Sequence, residues 1–245
     1  MKNLAKKIVV VTGASGGLGR ETAVQFAALG CRVVVAARRR ESLEETAQMC
    51  RSAGGEALVH VADVTSEADI EALVAATIAR WGRIDVWVNN AGVTLFALLE
   101  QGPFEMHRRV IETNLYGPMY AARAVVPRFR RQRSGVMINV GSILSKVGQP
   151  AVPSYVISKF ALRGLSEALR MEIADDPDIH VCTILPYAID TPHFQSGANE
   201  LGVAAFAMPP LQKPEKVARE IVKLAANPQR ECHVPRIATL GLAVR

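Results

Sequence analysis

Tyr155 and Lys159 stand four residues apart in the stretch Ser154-Tyr155-Val156-Ile157-Ser158-Lys159. In a helix that spacing sends both side chains from one face, one turn apart. A phenol beside an ammonium is a proton-transfer pair. Tyrosine titrates near about pH 10, and an adjacent cation favours the phenolate and lowers that value, bringing the group toward acid or base work at neutrality. The same spacing arises by chance in many surface helices, so its meaning depends on what lies upstream.

A second constellation lies near the chain start. Residues 7–12, Lys-Ile-Val-Val-Val-Thr, form a continuous β-branched run that reads as a strand buried on both faces. Thr12-Gly13-Ala14-Ser15-Gly16-Gly17-Leu18-Gly19 follows, and helical periodicity runs from Arg20 to Leu29. A glycine-rich strand-to-helix turn lets backbone approach a pyrophosphate closely and aims helix N-terminal amides at it. A tight turn serving chain geometry alone is the alternative, and it does not call for four glycines in seven residues. Gly13, Ser15, Gly16, Gly17, Leu18 and Gly19 are thus the candidate diphosphate cradle.

At the end of the second strand the chain reads Val35-Ala36-Ala37-Arg38-Arg39. Folds that prefer NAD place an acid there, on the ribose hydroxyl. Ala37 is uncharged, and the guanidinium that follows binds a 2′-phosphate by charge-assisted hydrogen bonds. The pattern predicts NADP(H), with Arg38 as first contact and Arg39 beside it. The competing reading is that both arginines only open a surface helix.

These groups need a scaffold. Buried-strand signatures recur at residues 31–37, 57–62, 84–88, 136–140, 179–185 and 234–240. Helical patterns fill 41–53, 66–81, 104–131, 154–173 and 214–226, with Ser66 placed as a cap and Pro214 in a first turn. Strict alternation of strand and helix implies right-handed crossovers and an open, doubly wound parallel sheet of about seven strands: a Rossmann-like three-layer αβα fold. With no repeat or linker-like tract, residues 1–245 read as one domain. The long irregular stretch at about 192–213 is a substrate-side loop.

The 245 residues carry a net charge of +6, 49% hydrophobic and 21% charged residues. No apolar run is long enough to span a membrane. The N-terminus leaves no room for a signal-peptide core. Cys31, Cys50, Cys182 and Cys232 are scattered, which fits a reducing cytoplasm and argues against zinc or disulfides. The basic run 128–133 ends a helical pattern, where a solvated face explains it. No nucleic-acid motif accompanies the charge, and no metal site is expected.

Taken in order, several short pieces resemble the short-chain dehydrogenase/reductase family over nearly the whole length. They are the T-G-x-x-x-G-x-G turn, Asp63-Val64, Asn89-Asn90-Ala91-Gly92, Asn114, Ser142, Tyr155 with Lys159, and Pro186 with Ile189 and Thr191. The resemblance implies that Asp63 and Val64 hold the adenine and that Asn90, Ala91 and Gly92 run under the cofactor. It implies that Lys159 also grips the nicotinamide ribose, and that Ile189 and Thr191 hold the carboxamide. Ser142 and Tyr155 bracket the substrate carbonyl, and Asn114 anchors a water in a proton relay. Two hydroxyls aimed at an oxygen that gains negative charge would stabilise it. Pro118, four residues after Asn114, removes the N–H that would satisfy the Asn114 carbonyl, freeing it for water or merely kinking the helix.

The chain departs from the family pattern at Tyr187, where glycine is frequent, and in the apolar stretch 237–244. That stretch predicts a subunit contact or a longer native chain. The pocket is expected to be lined by Val93, Thr94, Ile143, Leu144 and the loop residues Phe194, Leu201, Phe206, Met208 and Leu211. Only Glu200 is acidic before Lys213, so an apolar or aromatic ketone or alcohol is the expected substrate. The family commonly pairs through the two long helices, which implies a homodimer or homotetramer. The leading expectation is an NADP(H)-dependent carbonyl reductase or alcohol dehydrogenase. A non-catalytic NADP(H)-binding regulator and an epimerase or dehydratase of the same family are the rivals.

Overall fold

The computed structural model describes residues 3–192, 197–205 and 209–235. Seven parallel strands form one sheet in the order β3-β2-β1-β4-β6-β7-β9. They are β1 Ile8–Thr12, β2 Arg32–Ala37, β3 Glu56–Val61, β4 Val86–Asn89, β6 Gly135–Val140, β7 Ile179–Pro186 and β9 Glu231–Val234. The helices between them are α1 Gly17–Ala28, α2 Arg40–Ser52, α3 Glu67–Trp81, α4 Phe104–Ile111, α5 Gly117–Gln132, α6 Pro153–Glu172 and α7 Pro214–Ala226.

The β-branched runs make buried strands because both faces of the sheet are covered. Alternate residues of one strand go to opposite cores. Val9 and Val11 pack with α1, α2 and α7 residues such as Phe26, Leu43 and Val217. Val10 faces the other way, with Trp87, Met137 and the α3 and α5 side chains Leu73 and Phe129. Ser66 caps α3, its hydroxyl accepting from the Asp69 amide at 3.2 Å, and Gly82 ends the helix in the left-handed region at φ 79°. No helix of the described residues is long and apolar enough to cross a membrane.

Strand order turns around between β1 and β4: β2 and β3 lie to one side of β1, β4 and its successors to the other. The crevice outside the carboxyl ends of the strands opens at that switch. A buried polar ladder stiffens the sheet beneath it. The Trp87 indole donates to Asn89 Oδ1 at 2.7 Å, Asn89 Nδ2 to Asn139 Oδ1 at 2.8 Å, and Asn139 Nδ2 to Ser166 Oγ on α6 at 2.9 Å.

Three sequence expectations need correction, and one element is new. The helix expected over 104–131 is not α-helical throughout. Its middle widens into a π turn at Glu112–Tyr116, closed by the Gly117 amide on the Glu112 carbonyl, so Pro118 falls in the first turn of α5, where its missing N–H costs little. The last described strand is Glu231–Val234 and meets the expected 234–240 only at Val234; residues 236–240 lie outside the described residues. Helix α1 opens at Gly17, inside the glycine turn, rather than at Arg20. A two-stranded ribbon, β5 Leu95–Phe96 with β8 Ala198–Asn199, was unforeseen.

Candidate active site

One cleft of about 1310 Å³ opens along the carboxyl ends of the strands. Every residue expected to bind nucleotide lines it: Gly13, Ser15, Gly16, Gly17, Leu18, Gly19, Arg38, Arg39, Asp63, Val64, Asn90, Ala91, Gly92, Tyr155, Lys159, Ile189 and Thr191. Ser142 lines it as well, whereas Asn114 is buried behind its wall.

At the glycine turn, Gly13 adopts φ +66°, and a side chain on Gly19 would put its Cβ 2.3 Å from the Gly13 carbonyl oxygen and 2.4 Å from Asn90 Nδ2. Those two glycines serve close packing. Gly16 does not: a Cβ there meets nothing within 4 Å and would protrude into open space. No side chain caps α1, so its first amides face the cleft as an anion site. Thr12 and Asn90 fasten the turn. The Asn90 and Ala91 amides donate to Thr12 Oγ1 at 3.1 and 3.2 Å, and Asn90 Nδ2 donates to the Thr12 and Gly13 carbonyls at 2.9 and 3.2 Å. Arg20 ties Ser15 to α2 through the Ser15 carbonyl at 3.0 Å and Thr46 Oγ1 at 3.0 Å. This cradle fits a diphosphate.

Arg38 and Arg39 are exposed at the neighbouring end of the cleft. Asp63 lies between Arg38, 3.9 Å away, and Arg109 from α4, whose Nη2 donates to Asp63 Oδ2 at 2.9 Å. Burial pushes the Asp63 carboxyl up, but hydrogen bonds from the Thr65 amide and hydroxyl and from Arg109 outweigh it and hold the carboxyl below its ordinary value.

At the opposite end, Ser142 follows β6 and opens the single 3₁₀ turn Ile143–Ser145. Its hydroxyl oxygen accepts from the Leu144 amide at 3.1 Å, and Ser142 is hydrogen-bonded to the Tyr155 phenol. Lys159 sits one turn beyond Tyr155 on α6, its ammonium 5.4 Å from the Tyr155 ring centroid and donating to the Val140 carbonyl at 2.8 Å. Asn114 frames this pair from behind. Its Oδ1 accepts from the Val93 amide at 2.9 Å, and its Nδ2 donates to the Val93 carbonyl at 2.9 Å and to Ser158 Oγ at 3.0 Å. The Ser158 hydroxyl in turn donates to the Tyr155 carbonyl at 2.7 Å. A loop, the π turn and α6 are thereby locked around one tyrosine.

The electrostatics differ from the sequence expectation. Burial pushes the Tyr155 phenol up to about 12, against the lowering by the Ser142 hydrogen bond, and burial pushes the Lys159 ammonium down to about 8. The charged form of each group lacks water, and that cost exceeds what the neighbours return. Tyr155 keeps some area open to the cleft, whereas Lys159 is buried.

On the substrate side Val93, Thr94, Ile143 and Leu144 line the cleft as expected. Leu201 and Leu211 do not, and Leu211 is 42% exposed. Glu200, also exposed, uses its amide on the Phe96 carbonyl at 2.8 Å. Phe194, Phe206 and Met208 lie outside the described residues. The apolar wall instead includes Leu95, Phe96, Met106, Val110, Val147 and Val152, which sequence reading missed. The signal was the run Val93 to Leu99, too short to be assigned to an element. Tyr187 also lines the cleft, and its amide is fixed on the Val234 carbonyl at 2.8 Å.

A sequence profile described as short chain dehydrogenase matches residues 7–201. The chain belongs to the short-chain dehydrogenase family. Among its relatives in that family is the uncharacterized oxidoreductase YxnA of Bacillus subtilis (strain 168), 36% identical over 248 residues that cover 98% of this chain and 70% of that protein. The 3-oxoacyl-[acyl-carrier-protein] reductase FabG of Thermotoga maritima is 32% identical over 91% of this chain and 92% of its own. A short chain dehydrogenase/reductase from Burkholderia phymatum in complex with NAD superposes with a TM-score of 0.90 over 100% of this chain and 94% of that one; at 22% identity it speaks for the fold. An alcohol dehydrogenase from the archaeon Thermococcus sibiricus, complexed with 5-hydroxy-NADP, gives a TM-score of 0.81 at 28% identity over 93% and 94% of the two chains. This short-chain dehydrogenase is therefore an oxidoreductase.

Proposed function

We propose that this protein is an NADP(H)-dependent oxidoreductase that interconverts a carbonyl and an alcohol on an apolar substrate. The observation that carries the reading is one continuous cleft with an amide-lined glycine turn and Arg38 and Arg39 at one end and the hydrogen-bonded Ser142 and Tyr155 hydroxyls at the other. When bound, a nicotinamide dinucleotide supplies or takes up the hydride. The chain's own residues do the rest. The α1 amides and glycine backbone hold the diphosphate, and Arg38, with Arg39 beside it, pairs with the 2′-phosphate. Asp63 and Val64 flank the adenine, Asn90, Ala91 and Gly92 form the floor, and Ile189 and Thr191 position the carboxamide. Ser142 donates to the substrate oxygen, Tyr155 delivers the proton to it in reduction and removes it in oxidation, and Lys159 binds ribose and supports the phenol electrostatically. Asn114 is a positioning residue whose amide holds the loop at Val93 and the first turns of α6.

The relatives named oxidoreductase, reductase and dehydrogenase support a redox reaction over an epimerase or dehydratase. The intact Asn114, Ser142, Tyr155 and Lys159 set speaks against a binding-only regulator. The apolar lining, Leu95, Phe96, Met106 and Val110 included, supports an uncharged substrate end. Exposed Phe104, Tyr116, Ile157 and Phe160 on or between α4 and α6 support association of copies through those helices. Four buried cysteines, with no disulfide among the described residues, fit a cytoplasmic location.

Direct binding of NADPH and NADH tests the nucleotide assignment. NADPH binds tighter, and Arg38→Ala weakens NADPH by roughly tenfold, as for loss of a hydrogen bond to a charged group, with little effect on NADH. Tighter NADH binding by the wild type, or an Arg38→Ala variant that leaves NADPH affinity unchanged, refutes it.

A further inference from the structure

Arg109 belongs to none of the motifs read from the sequence, yet it reaches the nucleotide end of the cleft from α4, 46 residues beyond Asp63. Its guanidinium makes a two-armed contact: Nη2 to Asp63 Oδ2 at 2.9 Å and Nη1 to Thr65 Oγ1 at 3.1 Å, with Glu112 a further 3.8 Å neighbour. Asp63 Oδ1 is occupied separately by the Thr65 amide at 3.0 Å and the Thr65 hydroxyl at 2.8 Å. Arg38 approaches the same Asp63 Oδ2 only to 3.9 Å. One carboxylate thus stands between two arginines, and the hydrogen bond goes to Arg109.

That choice matters for the phosphate. A carboxylate beside Arg38 competes with a 2′-phosphate for the guanidinium and repels the incoming anion. We infer that Arg109 is a specificity-determining residue of the nucleotide site: by holding Asp63 it leaves Arg38 free to pair with the 2′-phosphate. The inference rests on the NADP(H) reading. Arg109 acts through Asp63 rather than on the nucleotide, which separates it from Arg38.

The test uses two probes that lack nicotinamide, adenosine 2′,5′-bisphosphate and adenosine 5′-monophosphate, so turnover plays no part. Calorimetry on the intact protein gives both Kd values for the wild type, Arg109→Gln, Asp63→Asn and the double variant. The ratio of monophosphate Kd to bisphosphate Kd reports preference for the extra phosphate and is insensitive to the fraction of folded protein. It falls by roughly two- to fivefold in Arg109→Gln, the scale of an exposed ion pair, and returns to the Asp63→Asn value in the double variant. An unchanged ratio in Arg109→Gln overturns the inference. So does a fall that Asp63→Asn fails to reverse, because Arg109 would then meet the phosphate itself. A wild type that binds the monophosphate at least as tightly as the bisphosphate defeats the NADP(H) reading instead; the role of Arg109 is still judged on the shift between variants.

Discussion

Tyr155 and Lys159 were legible as a pair, because their spacing and their company in the chain pointed to one face of α6. Their protonation was not. Reading types alone, the ammonium lowers the phenol; in the folded chain burial dominates and pushes Tyr155 up to about 12 and Lys159 down to about 8. Depth of burial is a property of the whole packing, which a four-residue spacing does not carry. The consequence for stability has a definite sign. From pH 8 to the ordinary lysine value of 10.5, the unfolded chain holds a proton on Lys159 that the folded chain has released, so this group's contribution to stability rises with pH across that window. Tyr155 acts oppositely: from pH 10 to 12 the folded chain keeps a proton the unfolded chain has lost, and stability falls. Urea midpoints of the wild type and Lys159→Met, compared at matched pH, isolate the first effect. The wild type gains on the variant between about pH 8 and 10 and not below. A difference that stays constant over that range contradicts the buried, depressed ammonium.

At the scale of elements, the parallel strands announced themselves through β-branched runs, and Ser66 through its capping position. What remained hidden depended on partners distant in sequence. The ribbon β5–β8 is two residues deep and exists only because its strands meet. The π turn directly precedes Pro118, whose effect, a freed Asn114 carbonyl or a kink, the sequence left open. Arg109 reveals its role only when α4 comes to lie beside Asp63 and Thr65 in the loop after β3. Glycines of the cradle looked equivalent in the sequence and are not. A methyl group on Gly19 collides with the Gly13 carbonyl and Asn90, so Gly19→Ala lowers stability by about 1–3 kcal/mol, as for overpacking. A methyl on Gly16 meets open space. Gly16→Ala therefore keeps the thermal midpoint near that of the wild type while weakening nucleotide binding. Thermal melts with and without NADPH check both. A stability loss in Gly16→Ala, or full stability in Gly19→Ala, contradicts this division of labour.

Across the whole molecule, the switch in strand order between β1 and β4 brings residues from 13 to 191 to one crevice. The apolar wall on α4 and β5 and the contact of Arg109 with Asp63 came from the fold and not from any motif. The four cysteines, all buried, take no part in the cleft. The proposed chemistry divides the hydride, carried by the nucleotide, from the proton, carried by Tyr155. NADPH consumption across a panel of apolar and aromatic ketones, measured for the wild type and Tyr155→Phe beside NADPH affinity, tests it most directly. Expected are turnover by the wild type, a loss of about 10²- to 10⁴-fold in kcat for Tyr155→Phe, and NADPH binding that changes little. Equal turnover by the two proteins would contradict it.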